Sequence, residues 1–161
     1  MRKRLLAVIA MLVLAATVLC GCAAPGATAS FRDYTGNAPN GTLGTIKYIA
    51  DRPGYKGVQV SLTVTGFGDV AGVENQHDVQ DVTAALIKGA SLQNSVDGFE
   101  GSQYYYYYDS KSFRKGQVCT ATLFYLVPPE SANEDLHFVF QDDKAKITYD
   151  TPCGIFKEEE S

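Results

Sequence analysis

Val58, Val60, Leu62 and Val64 alternate without a break with Gln59, Ser61, Thr63 and Thr65. A period of two puts the four aliphatic side chains on one face of a strand and the four polar ones on the other. Such a strand buries one side only. It calls for an antiparallel sheet with one wet face and an apolar layer to lie against. The signature recurs along the chain. Cys119, Ala121, Leu123, Tyr125 and Val127 share one parity in 117–127, which Pro128 and Pro129 stop. Leu136, Phe138 and Phe140 alternate with His137 and Val139, and Ala145, Ile147 and Tyr149 alternate with Lys144, Lys146 and Thr148. Ile46, Tyr48 and Ala50 open the series, and five consecutive tyrosines, 104–108, suit a further strand by propensity.

Turn chemistry separates these runs. Asp51-Arg52-Pro53-Gly54, Gly66-Phe67-Gly68-Asp69, Arg114-Lys115-Gly116-Gln117 and Asp142-Asp143 mark chain reversals, and 89–101 is turn-rich. The run 82–88 reads as a strand, with a short helix as the alternative because Ala84, Ala85 and Leu86 favour helix. About seven short strands and no clear helix predict an all-β fold, an immunoglobulin-like antiparallel β-sandwich over 42–156, with a closed barrel as runner-up.

The N-terminus is of another kind. Arg2, Lys3 and Arg4 precede an apolar stretch, 5–19, that is shorter than the roughly 20 residues of a spanning helix. A charged start, an apolar run and small residues after it make a secretory signal peptide over 1–21. Leu19-Cys20-Gly21-Cys22 resembles the lipobox of bacterial lipoproteins, although Cys20 stands where Ala or Ser is usual. The resemblance implies cleavage after Gly21 and a diacylglycerol thioether on Cys22, with palmitate among the acyl chains. The expected address is the extracytoplasmic face of the bacterial cell membrane, or the outer membrane where there is one. Two acyl chains anchor stably where one is marginal. Residues 22–41 are rich in small residues, Pro and Gly and read as a lipidated flexible tether, and 157–161 as a charged tail.

Arg2, Lys3 and Arg4 leave with the signal, so 14 cations fall to 11 against 18 carboxylates, a net charge of −7. An acidic domain has no electrostatic reason to hold nucleic acid. Cys119 and Cys153 are the even pair left in an oxidising compartment and predict a disulfide. Closing that loop would stabilise the fold by roughly 3–4 kcal/mol in the chain-entropy model.

Three stretches carry a family resemblance: 57–65, Phe113-Arg114-Lys115-Gly116-Gln117 leading to Phe124-Tyr125-Leu126-Val127-Pro128, and Leu136-His137-Phe138-Val139-Phe140. In these the chain is similar to small immunoglobulin-like lipoproteins of Gram-positive bacteria, domains of unknown function that share a fold with a secreted mycobacterial immunoprotective antigen. Gly66-Phe67-Gly68-Asp69 departs from the Asn and small polar turn usual there. The resemblance implies a fold and an address and carries no catalytic residue.

Candidate chemistry is sparse. His77 and His137 lack Cys or carboxylate at ligand spacing, so no metal site is expected. The acidic pairs Glu134-Asp135 and Asp142-Asp143, and Asp97 with Glu100, read as turn residues before calcium ligands. No nucleophile elbow, phosphate loop or dinucleotide fingerprint occurs, and no cofactor is implied. The expected role is a non-enzymatic binding or interaction module at the cell envelope, with a protein or glycan partner. The alternatives are an envelope enzyme or enzyme accessory with an unrecognised site, and a purely structural protein. The candidate partner contacts are Tyr104, Tyr106 and Tyr108, with Tyr105 and Tyr107 inward. One set of alternate rings should then be exposed, and exposed tyrosines make good anchors.

Overall fold

The computed structural model describes residues 25–34, 52–66, 76–108, 113, 118–143 and 145–157. The signal stretch 1–21, Cys22, the strand expected around Ile46–Ala50 and the last four residues of the charged tail lie outside the described residues. The chain runs β1 (Gly26–Asp33), β2 (Lys56–Thr65), α1 (Gln76–Lys88), β3 (Ala90–Asn94), β4 (Phe99–Glu100), β5 (Ser102–Tyr108), β6 (Cys119–Val127), a 3-10 turn (Pro129–Ser131), β7 (Leu136–Asp142) and β8 (Ile147–Pro152). The strands form two antiparallel four-stranded sheets, ordered β1-β2-β6-β5 and β4-β3-β7-β8.

The period-two face of β2 meets that of β6 in register. Val58 stands opposite Tyr125, Val60 opposite Leu123, Leu62 opposite Ala121 and Val64 opposite Cys119. All eight are buried. The second sheet supplies Ala90 opposite Phe140 and Leu92 opposite Phe138, also buried. The layers lock through rings: Phe31 and Tyr125 both meet Phe138 edge-on, with centroids 5.9 and 6.4 Å apart. The Tyr125 hydroxyl crosses the core and donates to the Ala90 carbonyl at 3.0 Å. That bond offsets the cost of taking the phenol hydroxyl out of water. Along one side, the Ala29 N–H of edge strand β1 donates to the Tyr149 hydroxyl of edge strand β8 at 3.1 Å.

Three expectations need correcting. Residues 26–34 are strand and core rather than tether. Ala27, Ala29 and Phe31 pack against the core, and Tyr34 is buried with its N–H donating to the Gly57 carbonyl at 2.7 Å. Two alanines make a weak apolar signal, so the alternation was hidden among small residues.

The run 82–88 belongs to helix α1. Val79, Val82, Thr83 and Leu86 are buried, the spacing of one helical face. Asp78 in its first turn and Lys88 in its last suit the helix dipole. Thr83 returns its hydroxyl to the Val79 carbonyl at 2.7 Å. Gly89 ends the helix, and the Gln141 N–H donates to its carbonyl at 2.7 Å. A Cβ on Gly89 would run into the Gln141 carbonyl oxygen.

Cys119 and Cys153 are both buried thiols with no disulfide between them. Cys119 opens β6, whereas Cys153 follows β8, its N–H on the Leu136 carbonyl at 2.8 Å. A Cβ on Gly101 would touch both Tyr125 and Leu92, and Leu92 lies two residues from Asn94, which stands opposite Leu136, so Tyr125 marks the Cys153 end of β6. Tyr125 lies six residues along β6 from Cys119, about 20 Å of strand at 3.3 Å per residue. A disulfide tolerates a Cα separation of at most about 7 Å. The two cysteines therefore sit toward opposite ends of the sandwich, and burial pushes the Cys153 thiol up to about 12.

Two outcomes follow. Iodoacetamide at pH 8 without reductant should leave Cys119 and Cys153 unmodified in the folded protein and label both after unfolding, read by peptide mass. A 119–153 crosslinked peptide would contradict the geometry. Gly89→Ala should destabilise the fold by about 2 kcal/mol through overpacking, seen as a lower urea midpoint at unchanged slope.

Candidate functional site

The tyrosine strand is the edge of the first sheet, paired on one side to β6. Gln103 stands opposite Tyr125, but Tyr105 stands opposite Phe124, so the register slips at Tyr104. A bulge of one residue reverses which parity faces inward. Tyr106 opposite Leu123 and Tyr108 opposite Ala121 therefore share the inner face of the sheet, and Tyr107 opposite Thr122 takes the outer face.

Exposure does not follow the expected alternate set. Tyr106 is 44% and Tyr107 52% exposed, while Tyr104 and Tyr108 are half-buried. The Tyr104 ring lies 6.1 Å from Phe124, and burial first, then the neighbouring Tyr34, holds its hydroxyl well above the ordinary phenol range. Tyr106 stacks on Tyr108 with centroids 6.3 Å apart and planes 18° from parallel. Tyr108 in turn meets buried Phe113 edge-on at 5.1 Å. Of Tyr104, Tyr106 and Tyr108, only Tyr106 is offered to solvent, and Tyr107 joins it from the opposite face. Parity counting missed this because a bulge leaves no mark in a run of identical residues.

A second surface was not foreseen. The outer face of the second sheet carries a cleft of about 500 Å³ lined by Gln93, Asn94, Ser95, Gly98, Phe99, Glu100, His137, Val139 and Asp150. Strand pairing assembles it: Gln93 stands opposite both Glu100 and His137, and β8 borders β7. His137, on the wet face as expected, has Nδ1 3.0 Å from Asp150 Oδ1. With Nδ1–H donating there, Nε2 is left for a ligand.

The cleft's rim is the β3–β4 turn, and it is held stiffly. Buried Asn94 donates through Nδ2 to the Ser131 carbonyl at 3.1 Å and Asn133 Oδ1 at 2.9 Å. Its Oδ1 accepts the Val96 N–H at 2.9 Å. Ser131 Oγ donates to Asp97 Oδ2 at 2.6 Å, and Asp97 Oδ1 accepts the Phe99 N–H at 2.9 Å. These two bonds, the hydroxyl first, hold the Asp97 carboxyl below its ordinary pKa. Gly98 takes the left-handed conformation, φ 68°, that completes the turn. The signal for this turn was present as Asn94-Ser95-Val96-Asp97-Gly98 between two apolar runs.

The other acidic turns serve the backbone. Asp142 Oδ1 accepts the Ala145 N–H at 3.2 Å, and Asn133 Oδ1 accepts that of Asp135 at 2.9 Å. His77 faces Asp81 one helical turn on, at 3.8 Å and in water. Such a pair contributes little. Among the described residues no group of three His, Cys, Asp or Glu could hold a metal ion. The cleft offers hydrogen-bonding amide, carboxylate and imidazole groups around one aromatic ring, an arrangement suited to reversible polar recognition.

No protein-family model, no curated protein and no solved structure matches the chain.

Asn94→Ala should cost about 2–3 kcal/mol, because it strands the Ser131 carbonyl of the 3-10 turn, Asn133 Oδ1 and the Val96 N–H. Asp97 acts with a pH sign. Its folded pKa is depressed, so its contribution is present above the ordinary carboxylate value of roughly 4 and fades as pH falls through the lower folded value. Protection of the Phe99 amide, measured against its intrinsic exchange rate at each pH, should fall over that acid range, and Asp97→Asn should remove the pH step.

Proposed function

We propose that the chain is a bacterial lipoprotein, held at the extracytoplasmic membrane surface through Cys22, whose immunoglobulin-type sandwich is a non-enzymatic binding module for an envelope glycan or protein. The cleft carries the binding part of this reading. It combines Phe99 as a platform with Gln93, Glu100, His137 and Asp150 as polar contacts on a rim already stiffened by Asn94 and Asp97. Preorganised polar groups lower the ordering cost of a ligand.

Strand order supports the immunoglobulin-type fold. With β1, β2, β3, β4, β5, β6, β7 and β8 written as A, B, C, C′, D, E, F and G, the two sheets read A-B-E-D and C′-C-F-G. The anchor rests on Leu19-Cys20-Gly21-Cys22, only four residues before Gly26 opens β1. Two acyl chains on Cys22 would leave the sandwich close to the bilayer with its cleft open to the envelope.

One observation favours a second reading, an envelope enzyme. The His137–Asp150 pair in the cleft has the geometry of an oriented general base.

Two experiments test this. Labelled palmitate should enter the wild-type chain and stay out of Cys22→Ala, which should also leave the membrane fraction or persist as precursor. Equal labelling of both would refute the anchor. Retention on isolated envelope material should fall about tenfold or more for each lost polar contact in Glu100→Ala and His137→Ala at unchanged melting temperature. Unchanged retention would remove the cleft as binding surface. Chemical conversion of the retained material by wild type but not by His137→Ala would select the enzyme.

A further inference from the structure

Tyr106 and Tyr107 point to opposite faces of edge strand β5, and both are exposed. A partner lying flat on the sheet would cover one ring and leave the other in water. Only a surface that receives the edge itself meets both. Val118, 49% exposed and immediately ahead of β6, adds an aliphatic side chain on the neighbouring strand, four residues from the Thr122 that faces Tyr107 and so about 14 Å from that ring. The braced stack of Tyr106 on Tyr108 on Phe113 keeps the upper ring from folding away.

The position of this edge in the fold matters as much as its composition. Ala27 stands opposite Val64, and Val64 opposite Cys119, so the start of β1 and the start of β6 lie at one end of the first sheet. Tyr107 stands opposite Thr122, which stands opposite Ser61, which stands opposite Ser30. It is thus four residues up from Gly26, about 13 Å along the strands, and three strands across, about 14 Å. Val118 is two strands across, about 10 Å, near the level of Gly26. Cys22 precedes Gly26 by four residues, which span about 14 Å at full extension. A lipid on Cys22 therefore keeps Gly26 within about 14 Å of the membrane, and a tilt of about 45° toward β5 brings Tyr107 down to the level of Gly26.

We propose that the β5 edge, through Tyr106, Tyr107 and Val118, docks on the phospholipid bilayer that carries the anchor. The inference rests on the reading of Cys22 as lipidated. Tyrosine is enriched at membrane interfaces because its ring is apolar and its hydroxyl stays wet. The same hydrated headgroup layer satisfies the backbone groups of a strand edge that pairs with no other described strand, which hydrocarbon would not. The mature chain carries a net charge of −7, so the contact is aromatic and aliphatic and needs no anionic lipid. Tethering makes even weak side chains sufficient, since a short linker holds the edge at high effective concentration. Docking would turn the Asn94–Phe99 turn, at the far end of the second sheet, outward.

The chain contains no tryptophan, so one introduced indole reports one place. Tyr107→Trp and Val118→Trp test the edge, and Val96→Trp, at a turn position 71% exposed, is the distant control. Each full-length lipidated variant is placed in phosphatidylcholine vesicles containing brominated phosphatidylcholine. The indoles at 107 and 118 should be quenched at least about twofold and shifted to the blue, and the one at 96 should stay unquenched. Equal quenching at all three positions, or none at 107 and 118 while palmitate label is present, would overturn docking and leave the anchor standing. Absence of palmitate would overturn both. A blue shift that grows with protein concentration in detergent, without vesicles, would assign the edge to a second copy of the chain instead.

Discussion

The pairing of β2 with β6 is the constraint from which the rest of the molecule follows. Four buried pairs, Val58 with Tyr125 through Val64 with Cys119, make the dry face of the first sheet. A slip of one residue would put Gln59, Ser61 and Thr63 into the core, so apolar burial alone defines the register. Once that register holds, Tyr125 stands where its hydroxyl reaches the Ala90 carbonyl of the other sheet. Phe138 then finds Phe31 on one side and Tyr125 on the other. The second sheet is positioned by the first, and α1 closes the step between them with Val82 and Leu86.

A sandwich built this way has edges, and each edge is handled differently. The edge strands β1 and β8 are joined through the Tyr149 hydroxyl and the Ala29 amide, which occupies a donor that another chain could have used. The opposite edge of the first sheet is β5, where the bulge at Tyr104 changes the facing of every later tyrosine. The bulge turns Tyr106 to the inner face and Tyr107 to the outer one, and the place of β5 at the margin of the described sheet leaves both rings exposed. Bulges re-aim side chains in this way at sheet margins.

Function and fold meet in how rigidly the two ends are treated. Far from Gly26, the buried Asn94 amide donates to the Ser131 carbonyl and the Ser131 hydroxyl donates to Asp97, which also accepts the Phe99 N–H, so the β3–β4 turn is held against the 3-10 turn. The cleft that follows has a stiff rim and a His137–Asp150 pair across its strands. Near Gly26, the chain leads within four residues to Cys22. Under the proposed anchoring at Cys22, this layout would hold one end at the bilayer and present the cleft's polar groups at the other.

The period-two runs of β2, β6, β7 and β8 were legible in the sequence, because burial on one side of a pleated strand leaves a local trace. The helical face of α1 was as legible in principle. Val79, Val82, Thr83 and Leu86 keep its spacing, but the run 82–88 read as strand. The lipobox and the acidic charge are also properties of sequence alone. The tertiary structure decided what depends on distance. Cysteine parity predicted a bond between Cys119 and Cys153, yet six residues of β6 separate Cys119 from Tyr125, which marks the Cys153 end of the sandwich. Tyrosine parity predicted one exposed row, yet the bulge at Tyr104 divided it. Ala27 and Ala29 looked like tether until pairing with β2 made them strand. The cleft joins β3, β4, β7 and β8, and only sheet pairing brings Gln93, His137 and Asp150 together. Local periodicity records which face of an element is dry, while long-range register decides which side chains meet, and register is a property of the folded pair rather than of either strand.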